Sequence, residues 1–99
     1  MQVSVTARRL EMTPELKTFA EEKVRKITKH LDRVIDAHIV LSVEKYRHAA
    51  EVTINVNGFL IHGEEVSSDI YTSIEQVMHK IDAQIKKYKS KLIKKGRHQ

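Results

Sequence analysis

From Ile70 to Leu92 the chain carries one apolar stripe at helical spacing: Ile70, Ile74, Val77, Met78, Ile81, Ile85, Tyr88 and Leu92. No glycine or proline interrupts it. The stripe predicts a helix from about Ile70 to about Lys94, roughly 35 Å long at 1.5 Å per residue. Ser67, Ser68 and Asp69 stand just before it as N-cap residues. A helix with one apolar face holds its shape only against a second layer. The preceding residues must therefore supply a surface long enough to cover it.

They supply it as strands. Val3, Val5 and Ala7 alternate with Gln2, Ser4 and Thr6, the pattern of a half-buried strand. Thr13 and Pro14 read as N-cap and first helical residue, with Glu15 at the positive end of the helix dipole. Leu16, Phe19, Ala20, Val24, Ile27 and Leu31 follow at helical spacing, so a first helix is expected from about Pro14 to about His30. Asp32-Arg33 breaks that pattern. Alternation returns from Ala37 to Val43 and again through Ala50, Val52, Ile54 and Val56, with Tyr46-Arg47-His48 as the expected connection. Asn57-Gly58 is a tight-turn signal, and Phe59, Ile61 and Gly63 then alternate with Leu60, His62 and Glu64.

The order is β-α-β-β-β-α. A chain of 99 residues buries roughly 65% of its unfolded surface, enough for one core. The expected class is α+β: a four-stranded sheet with two helices packed on one face and the last three strands in an antiparallel meander. That architecture is similar to the double-stranded-RNA-binding domain, a fold-level analogy only. Residues 1–95 form the expected single domain, and 96–99 a short C-terminal tail.

Several functions lack the residues they need. With no cysteine, a disulfide scaffold, a thiol nucleophile and Cys-based metal sites are excluded. No apolar run reaches the ~20 residues of a membrane-spanning helix, and residues 1–5 lack the basic-then-apolar order of a signal peptide. A cytoplasmic location is expected. The six histidines show no HxxxH or HExxH spacing, and three scattered glycines cannot build a phosphate loop. Glu64 and Glu65 are adjacent in a strand, so they point to opposite faces. No catalytic group, metal or cofactor is expected, and the chain reads as a non-enzyme.

Charge is the informative feature. Residues 1–79 hold 10 Lys and Arg against 12 Asp and Glu. Residues 80–99 hold Lys80, Lys86, Lys87, Lys89, Lys91, Lys94, Lys95 and Arg97 against Asp82 alone, so a near-neutral body carries a strongly basic last fifth. Helix termini favour some lysine through the macrodipole, but this excess exceeds what capping needs. At 100° per residue Lys80, Lys87, Lys91 and Lys94 fall within ~60° of one another along ~21 Å of axis. Lys86 and Lys89 lie elsewhere on the exposed arc. Such a row suits a phosphate backbone. The first helix adds Lys23 and Lys26 on one flank, with Arg25 and Lys29 further round, so both helices are expected to border a common basic surface. Arg33, Lys45 and Arg47 stand at element ends, where they would widen it. Lysine predominates over the Arg, Asn and Gln that read DNA bases, and no strand carries a stacking aromatic pair. Shape and backbone recognition of structured RNA fits best.

An ordered set of short pieces spans nearly the whole chain. It comprises Asp32-Arg33, Val43-Glu44-Lys45, Val56-Asn57-Gly58 with Ile61-His62, Asp69-Ile70-Tyr71, Ile74-Glu75, Lys80-Ile81, Gln84-Ile85, Lys87-Tyr88-Lys89 and Lys91-Leu92. In this set the chain resembles the ribosome hibernation promoting factor family, also called ribosome-associated inhibitor or sigma-54 modulation proteins. The resemblance implies a bacterial stress or stationary-phase protein. Such a protein binds the small ribosomal subunit between head and body, contacts 16S rRNA through basic helical surfaces, blocks mRNA and tRNA, and stores whole ribosomes inactive, often as dimers. It implies that Lys23, Lys26, Lys80, Lys87, Lys89 and Lys91 face rRNA, with Arg33 and Lys45 as further candidates. Phe59-Leu60 is more apolar than the family pattern. The chain is expected to be either a short member, which works with a separate ribosome modulation factor or on single ribosomes, or the N-terminal domain of a long one, which adds a C-terminal dimerisation domain. Two other readings stay open: a protein-binding module that modulates a sigma factor, and a generic structured-RNA binder.

Overall fold

Each switch of hydrophobic period becomes a change of element in the computed structural model, which describes the backbone of residues 1–97 and the side chains of residues 1–91. The order is β1 (Gln2–Arg8), α1 (Pro14–Ile27), β2 (Val34–Glu44), β3 (Arg47–Val56), β4 (Phe59–Ser67) and α2 (Ile70–Arg97). The sheet order is β1-β2-β3-β4. β1 pairs parallel with β2, Val5 beside Ile39. The parallel pairing follows from α1, because a crossover helix returns the chain to the end of the sheet from which it started. β2, β3 and β4 form the expected antiparallel meander.

One core explains why both helices share a face. Ala37, Ile39 and Leu41 of β2, Ala50, Val52, Ile54 and Val56 of β3, and Ile61 of β4 are buried with Leu16, Ala20 and Val24 of α1 and Ile74, Val77, Met78, Ile81 and Ile85 of α2. Gly63 lets α2 settle on β4, since a Cβ there would stand 3.2 Å from the Ile81 Cδ1. Asn57 and Gly58, with φ of 51° and 83°, make the left-handed two-residue turn that matches strand twist. Asp69 caps α2: its Oδ2 accepts from the Thr72 backbone N–H at 3.0 Å.

The boundaries differ from the sequence expectation at four places. α1 stops at Ile27 rather than near His30. There the bonds tighten to i→i−3: the Lys29 N–H donates to the Lys26 carbonyl at 3.5 Å and the Leu31 N–H to the Thr28 carbonyl at 3.0 Å. β2 begins at Val34 rather than Ala37, because a register shift between Val34 and Asp36 interrupts the alternation. The β2–β3 connection is only Lys45-Tyr46, and Arg47 and His48 already belong to β3. α2 runs past Lys94 to Arg97, so the backbone of Gly96 and Arg97 is helical, while residues 98 and 99 lie outside the described residues.

The added length of α2 shapes the molecule. Its 28 residues span about 42 Å. The Tyr88 ring stacks on Phe59 at the first residue of β4, with centroids 5.2 Å apart. The helix continues for nine residues more, about 13 Å. The radius of gyration, 14.4 Å, accordingly exceeds the ~13 Å of a compact chain this long.

Candidate nucleic-acid interface

The two helices run in the same direction over the sheet, so their basic C-terminal halves lie at one end. Phe19 meets Tyr71 edge-on near both N-termini, at 5.0 Å between centroids. Near the other end the Lys89 Nζ donates to the His30 carbonyl at 3.1 Å. His30, Leu31, Asp32, Arg33, Asn57, Tyr88 and Lys89 line a depression of ≈ 320 Å³ there. Its backbone is tied by the Asn57 N–H, which donates to the Arg33 carbonyl at 3.1 Å. Arg33 itself sits at φ 63°, in the left-handed region. The structure thus brings Arg33 and Lys89 together, residues 56 positions apart in sequence.

The helical lysines do not form the single surface expected. Lys23 and Lys26 line a groove of ≈ 260 Å³ between α1 and α2, and Glu75, His79 and Asp82 line it with them. Lys23 also lies over the Phe19 ring, 5.2 Å from its centroid. Lys80 lies on the other flank of α2, where its Nζ meets the Glu65 Oε2 of β4 at 3.3 Å. Gln84 shares that flank and donates to the His62 carbonyl at 2.8 Å. By helical phase Lys87 and Lys91 continue it, and both are exposed. The basic groups therefore stand on two flanks of α2, and α2 itself projects between them. Lys86 pairs with Asp82 at 3.2 Å, one turn away. The side chain of Lys94 lies outside the described residues.

Two of these lysines have carboxylate partners, but the partners hold them weakly. An exposed ion pair is worth about 0–1 kcal/mol, so a phosphate can take over Lys80 or Lys86 at little cost. Lys87 and Lys91 form no ion pair among the described residues and need none broken.

Lys45 is not part of this end. It forms the β2–β3 turn, eleven residues of strand away from Arg33. Arg8 and Arg9 are at the same far end, since Arg8 aligns with Ser42. The sequence reading missed both, although two adjacent arginines closing a strand are visible signals. Phe59 and Leu60 are 51% and 61% exposed, so their apolar departure makes a small surface patch, one ring of which rests on Tyr88. On the open sheet face Ser4, His38, Thr53 and His62 form one cross-strand row. His38 stands 3.7 Å from Asp36, and His62 stands 3.4 Å from Glu51. Ser4, His38 and His62 are exposed, and Thr53 is half-buried.

Residues 3–93 match the family described as sigma 54 modulation protein / S30EA ribosomal protein. The chain belongs to this family. Among its relatives, the ribosome hibernation promoting factor of Escherichia coli (strain K12) is 35% identical over 92 residues, covering 93% of this chain and 97% of that one. The protein of the same name from Azotobacter vinelandii is 30% identical over 99 residues, covering 100% of this chain and 92% of its own. Two solved structures superpose on the chain. A ribosomal subunit interface protein from Coxiella burnetii has a TM-score of 0.84 at 26% identity, covering 91% of this chain and 99% of that chain. The Thermus thermophilus Protein Y N-terminal domain has a TM-score of 0.82 at 26% identity, covering 89% and 99%.

Proposed function

We propose that this S30EA-family protein is a ribosome hibernation factor. It binds the small ribosomal subunit in the cleft between head and body, and it inhibits translation by occupying space that mRNA and tRNA need. The observation that carries the reading is the basic C-terminal half of α2, which presents Lys87 and Lys91, free of ion pairs among the described residues, on one flank and Lys89 near Arg33 on another. Family membership supports it, as do relatives whose names describe hibernation and subunit-interface proteins.

The mechanism is steric and electrostatic, without bond chemistry. Lysines on both flanks of α2 neutralise phosphates of 16S rRNA, releasing condensed counterions. Lys87 and Lys91, one turn apart, repel each other in the free protein by about 0.2–0.5 kcal/mol, a cost that rRNA relieves. The sheet and its packed helices make a rigid plug, because one buried core joins all six elements' layers. Arg33, Lys23, Lys26, Lys80 and Lys86 extend the contact, and Lys94 continues the same helical row by phase. Lys45 contacts RNA separately. This reading places the protein in the cytoplasm, where ribosomes are. A ribosome modulation factor, or a dimerisation domain in a longer chain, would act on the ribosomes it silences.

A sucrose-gradient profile of bacterial ribosomes with added protein tests this. The protein should co-sediment with small subunits at low salt, and Lys87→Glu with Lys91→Glu should abolish co-sedimentation while leaving the circular dichroism spectrum unchanged. If the double variant still co-sediments, the assigned surface is wrong. Equal binding of naked duplex RNA would favour the generic structured-RNA reading, and capture indifferent to nuclease would favour the protein-binding one.

A further inference from the structure

At the end of the sheet away from the helical lysines, one aromatic ring stands clear of the protein. Tyr46 is 88% exposed, well above the other exposed large apolar side chains. It sits in a two-residue turn between strands of 11 and 10 residues. Lys45 precedes it and Arg47 follows it. Arg8, aligned with Ser42 two residues short of Glu44, and then Arg9 bring two more cations to the same end. Glu44 is in register with Arg47, yet neither Lys45 nor Arg47 forms an ion pair among the described residues.

The turn is held rather than loose. Lys45 has φ of 57°, a left-handed conformation that a lysine adopts only when its surroundings impose it. The His48 Nδ1–H is placed to donate to the Tyr46 carbonyl, at 3.3 Å. The fully buried Ser73 of α2 donates its hydroxyl proton to the His48 carbonyl at 2.5 Å. A chain of contacts therefore runs from the core through His48 to the residue that carries the ring.

A solvent-facing ring on a braced turn, with a cation before it and another after it in sequence, fits one ligand chemistry well. An unpaired nucleotide offers a base face for the ring and phosphates for Lys45 and Arg47. Duplex RNA keeps its bases stacked inside and offers the ring nothing. An apolar protein surface would leave the flanking charges without partners. We propose that the Lys45-Tyr46-Arg47 turn is a second RNA contact that stacks on an unpaired nucleotide, roughly 35 Å along β2 from Arg33. This rests on the hibernation reading for the RNA's identity: the domain would span two separate rRNA segments, one at each end.

The chain has no tryptophan, so Tyr46→Trp introduces a single indole reporter at the tip. Its fluorescence is titrated with a short single-stranded RNA, the matching RNA duplex and small ribosomal subunits, while co-sedimentation of the unaltered protein is read in parallel. The single strand and the subunits should quench the indole, and the duplex should not. Tyr46→Ala should weaken single-strand binding about 5- to 150-fold, the range of one base–aromatic stack, and Tyr46→Phe should retain it. No quenching by the single strand, equal quenching by the duplex, or unchanged affinity in Tyr46→Ala overturns the proposal. So does quenching on subunits that survives nuclease digestion of their RNA, which would make the contact a protein one. Failure of the unaltered protein to co-sediment would overturn the hibernation reading alone, because the single-strand titration judges the tip by itself.

Discussion

Ser73 shows how one polar side chain can join two layers. It is fully buried, donates to the His48 carbonyl, and lies 2.6 Å from the Ser67 hydroxyl oxygen. It thereby ties α2 to the start of β3 and the end of β4. Ser73→Ala leaves the His48 carbonyl without its partner, and urea unfolding should show a loss of about 1–3 kcal/mol. Gly63 works by having no side chain. A Cβ on it would stand 3.2 Å from the Ile81 Cδ1, closer than ordinary van der Waals contact. Gly63→Val should lower stability by about 1–3 kcal/mol through overpacking, even though valine favours strands. A stability gain in that variant would mean α2 can shift outward from β4.

α2 combines two jobs on one element. Its buried stripe anchors it through Ile74, Val77, Met78, Ile81 and Ile85, and its last turns carry charge away from the body. Asp69 sets where the helix starts. Asp69→Ala removes the acceptor of the Thr72 N–H and the Thr72 hydroxyl, which should cost about 1 kcal/mol in thermal or urea unfolding. Lys87→Ala with Lys91→Ala removes exposed charges that form no ion pair among the described residues and should leave stability within about 0.5 kcal/mol. The two halves of the helix should thus separate cleanly, stability responding to the stripe and binding to the lysines.

At the scale of the whole molecule the charge distribution matters more than any pair. Arg33, Lys89, Lys87 and Lys91 gather at one end, while Arg8, Arg9, Lys45 and Arg47 gather at the other. Between them the α1–α2 groove mixes Lys23 and Lys26 with Glu75 and Asp82. A log–log plot of subunit affinity against salt should be a steep straight line. Removing Lys87 and Lys91 together should reduce its slope by about 2. An unchanged slope would mean that these amines do not meet phosphate.

The amino-acid sequence alone determined the six elements, the shared face of the two helices and the basic character of the last helix. Each depends on local period, composition or turn chemistry, as Ile70 to Tyr88, Asn57-Gly58 and Thr13-Pro14 show. Element ends were less legible. α1 gives way after Ile27 to i→i−3 bonds from Lys29 and Leu31, and the irregularity between Val34 and Asp36 masks the start of β2. Only the tertiary structure decided which lysines share a surface. Helical phase says that Lys80, Lys87 and Lys91 lie on one flank, but strand order and packing direction turn that flank toward β4 and Glu65, opposite to Lys23 and Lys26. The same long-range pairing carried Lys45 to the far end and brought Lys89 to His30 and Arg33. Spacing along the chain sets the face of an element, whereas which neighbour that face meets is settled only by contacts between residues distant in sequence.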